Sequence, residues 1–169
     1  MTTARYHRVR YITATAFDDG RDATSTALRQ AMGDGCAVDV FLLELGRDYT
    51  RWLDAMPERP EIRLVYDTGG DGARYADRWR ALGVETLVGH NGANLAHSVY
   101  VSFLPRYVSG EKLDDAVRAA NDDMRTVVDA IAPFLEIAGE HDVARLESDT
   151  DAHVFRSARI AADEPVSRR

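Results

Sequence analysis

The chain has 169 residues, 45% of them hydrophobic and 29% charged, with a formal net charge of −7. That length suits one domain whose core needs neither disulfides nor metals, and the acidic balance argues against nucleic acid, whose phosphates it repels. The single cysteine, Cys36, excludes an internal disulfide and fits a reducing compartment. Residues 1–10 carry charge with no apolar stretch behind them, so no signal peptide is expected. No apolar run approaches the ~20 residues that cross a membrane, and the cytoplasm is the expected location. Arginine far outnumbers lysine, which reads as the habit of a GC-rich genome and not as a function.

In chain order, residues 8–16 (RVRYITATA) are rich in β-branched and aromatic side chains and predict a strand. Residues 21–32 predict a helix capped by Asp22 or Thr24 and stopped by Gly33. Residues 37–45 (AVDVFLLEL) are nearly all apolar, the pattern of a central strand buried on both faces. A helical stretch follows at 46–56 and ends at 57–60, where two prolines stand. Residues 61–67 predict a strand, 67–72 (DTGGDG) a glycine-rich loop, and 73–82 a helix with Tyr75, Ala76 and Trp79 on one face, stopped by Gly83. Another strand is expected at 84–88, followed by 89–94 (GHNGAN). Strands alternating with helices predict a three-layer α/β/α sandwich with a mostly parallel sheet.

The last third changes character. Residues 95–108 predict a helix with a kink or break near Pro105. From Leu113 to Ile131, apolar residues including Ala116, Val117, Ala120, Met124, Val127 and Val128 recur at three- and four-residue steps, an amphipathic helix that Pro133 ends or bends. Its packing on its own sheet is the plain expectation, and Asp114-Asp115 and Asp122-Asp123 fall on its solvated face. Residues 153–158 predict an edge strand. A single domain over 1–160 and a frayed tail at 161–169 complete the layout.

Ligands of open α/β sheets bind beyond the carboxyl ends of the strands. Three glycine-containing polar loops, 44–49, 67–72 and 89–94, are expected to meet there. The DTGGDG loop lacks the GK[ST] ending of a Walker loop and does not read GxGxxG. Its Asp-Thr-Gly triplet occurs once, on an α/β pattern, which excludes the two-triplet, all-β aspartic peptidases. His90 is the one histidine expected at this rim, as a general base, a ligand or a hydrogen-bonded turn residue. His7, His97, His141 and His153 show no metal-ligand spacing, and HExxH and GxSxG are absent. No metal and no cofactor are expected.

The ordered segments 38–46 (VDVFLLELG), 62–70 (IRLVYDTGG), 81–94 (ALGVETLVGHNGAN) and 110–124 (GEKLDDAVRAANDDM) resemble those of the caspase-like clan of cysteine peptidases, which includes metacaspases and gingipain-type enzymes. The resembling stretch runs over residues 11–124. In that clan a buried strand ends in a His-Gly pair and the next strand ends in the nucleophilic cysteine. The histidine position matches Leu45, before Gly46, and the cysteine position falls within 68–70, at Gly70. Cys36 precedes its strand and cannot substitute. The resemblance therefore implies a pseudo-peptidase with no catalytic dyad. Its cleft would be bordered by Glu44, Gly46, Asp67, Thr68, Gly69, His90 and Asn91, with Leu45 and Gly70 on one depression and His90 at the next rim position. It implies a binding or regulatory module for a peptide or protein partner. The alternatives are an enzyme of another class using Glu44, Asp67, Thr68 and His90, or an assembly subunit whose helix over 113–131 meets a partner. Nothing in the sequence sets an oligomeric state.

Overall fold

The structure is a computed structural model and describes residues 38–42, 61–69, 71–92, 98–138 and 149–157. The expected strand at 8–16 and helices at 21–32 and 46–56 lie outside the described residues, as do the loop 44–49 and Cys36.

Among the described residues four strands form one sheet in the order β1 (Val38–Leu42), β2 (Ile62–Asp67), β3 (Thr86–His90) and β4 (Ala152–Arg156). β1 pairs with β2 and β2 with β3 in parallel, while β4 runs antiparallel to β3. The sheet is thus mixed, and only partly as parallel as the alternating pattern suggests. Its antiparallel member is the strand expected at 153–158, found at an edge of the described sheet. β3 begins two residues later than expected, because Gly83, at φ 91, and the backbone bond from Val84 N to Trp79 O delay the chain's return to the sheet.

Of the strand expected over 37–45, residues 38–42 are described, as β1. β1 is the terminal strand of the described sheet, and Val38, Asp39 and Val40 are half-buried. Its polar residue is accommodated by a bulge. Val38 pairs with Ile62 but Asp39 with Leu64, so Arg63 is the extra residue. The Arg63 guanidinium forks onto Asp39, Nε to Oδ1 at 2.9 Å and Nη2 to Oδ2 at 2.5 Å. The fork satisfies a carboxylate whose side chain is 0% exposed.

Side chains alternate across the strands, and helices cover both faces. On one face a 3-10 turn (Gly72–Tyr75) runs into the short helix α1 (Ala76–Ala81), and Ala76, Trp79 and Leu82 pack on Ile62, Val65 and Leu87. On the other lie α2 (Ser98–Val108) and α3 (Leu113–Ala138), whose Phe103, Tyr107, Ala116, Ala120 and Met124 pack on Leu64, Tyr66 and Val88. The helix expected at 73–82 is therefore part 3-10 and part α, with Ala76 and Trp79 buried and Tyr75 half-buried.

Neither proline ends its helix. α2 continues through Pro105 and α3 through Pro133. A proline strips the hydrogen bond from the carbonyl four residues back. Those residues, Val101 and Asp129, are exposed, so water can meet the freed carbonyls. In α3 the inward positions are taken by Met124 and Val128, which leaves Val127 46% exposed in contrast to its expected place on the apolar stripe. The acidic pairs of α3 do more than face solvent. Asp114 takes Arg156 of β4 at 2.6 Å. Asp123 takes Arg106 of α2 at 2.9 Å and accepts the Ser102 hydroxyl. That hydroxyl, with Arg106, holds the Asp123 carboxyl below its usual range.

Asn121 of α3 ties β4 down. Its amide donates to the Ala152 carbonyl and its oxygen accepts the Ala152 N–H, both at 3.0 Å. Among the described residues no helix is long and apolar enough to cross a membrane.

Candidate functional site

The carboxyl ends of β1, β2 and β3 lie side by side. Leu42 pairs with Asp67, and Tyr66 pairs with Val88, one register step before Gly89 and two before His90. Of the expected rim residues, Asp67, Thr68, Gly69, His90 and Asn91 are described; Glu44, Leu45, Gly46 and Gly70 lie outside the described residues.

The loop after β2 folds back on the carboxylate that begins it. Asp67 Oδ1 accepts the Gly69 N–H at 2.9 Å, and the Gly69 carbonyl accepts the Gly72 N–H at 3.1 Å. Asp71 takes the left-handed conformation at φ 63 that this reversal requires. Gly72 then passes so close that a Cβ there would stand 3.0 Å from Asp67 Cγ. The carboxyl is enclosed as a result. Asp67 is 4% exposed, and burial pushes its pKa up to about 6, against the opposing pull of the Gly69 N–H and of Arg74.

His90, expected within the loop at 89–94, is the last residue of β3 and is 0% exposed. Its Nδ1 lies 2.7 Å from the Thr150 carbonyl oxygen. A carbonyl only accepts, so Nδ1 carries the hydrogen and the neutral ring keeps its lone pair on Nε2. That Nε2 is buried with no hydrogen-bond partner. Burial holds the His90 pKa below the usual imidazole range, opposed by the Thr150 carbonyl.

Strand alternation separates these two groups. Asp67 follows Tyr66, so its side chain leaves the sheet on the side of the 3-10 turn, where Gly72 meets it. The His90 ring lies on the side of Tyr66, with ring centroids 6.2 Å apart. The sequence placed both at one rim, and both are there, but on opposite faces of the sheet. Thr68, directly after β2, is 0% exposed. Asn91, directly after His90, is exposed.

A third segment completes the rim and was not singled out in the sequence. Residues 149–151 precede β4. Thr150 accepts from His90, and the Asp149 carboxylate sits where a Cβ on Gly92 would be. Gly92 in turn accepts the Asp71 N–H at 3.3 Å, linking the loops after β2 and β3. These residues lie 60 positions from His90, and only their Ser/Asp/Thr composition before a strand marks them locally. Among the described residues no group of three His, Cys, Asp or Glu is arranged to hold a metal ion. No family model, no curated protein and no solved structure matches the chain.

Proposed function

We propose that the chain is a non-catalytic α/β domain on the caspase-like plan, which binds a peptide or protein partner at the rim where β1, β2 and β3 end. The separation of Asp67 and His90 carries this reading. General acid–base work needs its groups within hydrogen-bond reach of one reacting site. Here the carboxyl is enclosed by its own loop on one face, and the imidazole is engaged with Thr150 on the other. Among the described rim residues, Asp71 and Asn91 are exposed. The pairing of Leu42 with Asp67 supports the caspase-like plan, because Leu45 and Gly70 each follow three residues beyond those paired ends. With leucine and glycine at these positions, base and nucleophile are both missing. A lone thiol suits the cytoplasm, where the proposal puts the protein.

The plan is tested by restoring the dyad. In a Cys36→Ser background, Gly70→Cys combined with Leu45→His should be alkylated by iodoacetamide at pH 6.5 about tenfold faster than Gly70→Cys alone, because a neighbouring imidazolium favours the thiolate. Equal rates would rule the caspase-like plan out. Binding is tested separately with a random-peptide display library. The native chain should enrich a consensus that Asn91→Trp, which fills the rim without touching the core, no longer retains. A library that enriches nothing over background would defeat the binding reading.

A further inference from the structure

We propose that Asn91 is a self-modifying residue: the backbone nitrogen of Gly92 displaces ammonia from its side chain, and the neutral amide at the rim becomes a carboxylate. The inference goes beyond the binding reading and does not depend on it.

The fold sets up the pair. Asn91 directly follows β3 and is exposed, with Gly92 half-buried behind it. The Asp149 carboxylate occupies the space that a Cβ on Gly92 would take, so a larger residue there would have to displace it. The bond from Asp71 at 3.3 Å engages the carbonyl of Gly92, not its nitrogen. A side chain on the following residue is the chief steric obstacle to ring closure by an asparagine. The approach of Asp149 that favours glycine at 92 thus also leaves Asn91 without that shield.

The attacking nitrogen is tethered to the group it attacks, so the step is intramolecular. A bond forms between the Gly92 nitrogen and Asn91 Cγ, and solvent takes the proton from that nitrogen. The Cγ–Nδ2 bond breaks, and Nδ2 leaves as ammonia with a proton from water. The product is a five-membered succinimide. Water then breaks either the new N–Cγ bond, giving aspartate, or the original peptide bond, giving isoaspartate with the main chain routed through Cβ. One water is consumed and one ammonia released, with no oxidant or reductant.

The competing positions are closed. The chain has three asparagines, and Asn94, outside the described residues, precedes the bulky Leu95. Asn121 commits both amide atoms to Ala152, each at 3.0 Å. Its attacking nitrogen would be that of Asp122, which lies within α3, where N–H groups bond to carbonyls one turn back. Asp71 and Gly72 could close the same ring from a carboxyl, but the Gly72 nitrogen donates to the Gly69 carbonyl at 3.1 Å. The product carboxylate at 91 joins exposed Asp71 and the Asp149 carboxylate beside Gly92, so the rim becomes more anionic as the molecule ages.

Peptide mass spectrometry tests this on the intact chain, aged at pH 8 and 37 °C and then digested with trypsin. The peptide at 81–106 should gain one mass unit, placed at Asn91 by fragmentation and resolved by chromatography into two isomers. Its conversion should run at least about tenfold faster than that of the 119–125 peptide, which carries Asn121. A free synthetic 81–106 peptide aged alongside gives the rate with no fold present. When half of it is converted, at least about a tenth of Asn91 in the folded chain should be converted too. Asn91→Gln, which would have to close a six-membered ring, should leave the 81–106 peptide unchanged over the same time. Less than that tenth, conversion at Asn94 instead of Asn91, or equal rates at Asn91 and Asn121 would overturn the proposal.

Discussion

At pH 7.5, Asp67→Asn is expected to stabilise the protein against urea by roughly 3 kcal/mol, an effect that shrinks to about 0.5 kcal/mol near pH 4. The Asp67 carboxyl titrates near 3.8 when unfolded and at about 6 when folded. A carboxyl whose folded pKa is raised contributes most stability below the unfolded value and loses it as pH climbs through the folded one. The native protein thus works against its own buried charge above pH ~6, and asparagine does not. Asparagine also resembles the protonated acid, since its oxygen can still accept the Gly69 N–H and its amide donates where the acid proton would be. Urea midpoints across pH 4–8 measure the difference. A variant less stable at every pH, by a constant amount, would show that Asp67 is ionised in the fold.

Trp79→Ala should cost roughly 3–5 kcal/mol, enough to leave a domain of ordinary stability near its unfolding threshold. The helix that carries this residue is six residues long and has no stability of its own. It persists because the indole, 2% exposed, sits with Ile62, Val65 and Leu87 on one face of the sheet. The 3-10 turn runs directly into this helix, so loosening it also uncovers the Asp67 loop. Two readouts should move together: the urea midpoint falls, and the Asp67 pKa drops back toward 3.8 as water reaches the carboxyl. Trp79→Phe, which keeps most of the apolar volume, should lose less than half as much. A large stability loss with an unchanged Asp67 pKa would mean that helix and loop are not coupled.

How far the sequence reaches depends on the kind of signal each element carries. Trp79 and Ala76 were legible because three-residue spacing marks one helical face whether the first turn is α or 3-10. β4 was legible as an edge strand from a short alternating run, yet its antiparallel direction is set by partners far along the chain, Asn121 and Gly89. β1 was legible as a strand from its apolar run, whereas the bulge at Arg63 that serves Asp39 belongs to the pairing, not to either strand alone. Whether Pro105 and Pro133 break or only bend their helices was left open in the sequence, because a proline's cost depends on whether the carbonyl one turn back is wet, which only the packed structure decides. At the rim, loop positions followed from parallel strands ending together. The faces did not follow, because a two-residue error in the start of β3 leaves parity intact but hides that His90 is a strand residue. The part of the segment before β4 that meets His90 could not be found at all, since its connection to His90 spans 60 positions.

The Asn121–Ala152 pair has a consequence for how this protein behaves in a crowd. An exposed strand edge invites extended segments of other chains to add on, hydrogen bond by hydrogen bond, and such growth begins wherever a donor and an acceptor stand free together. At Ala152 both are occupied by one side-chain amide acting as a one-residue mimic of a neighbouring strand. An incoming chain finds no free backbone pair at Ala152, the start of β4. Self-limiting sheets are commonly made with charge or proline; here an asparagine projecting from the adjacent helix closes the end of the edge.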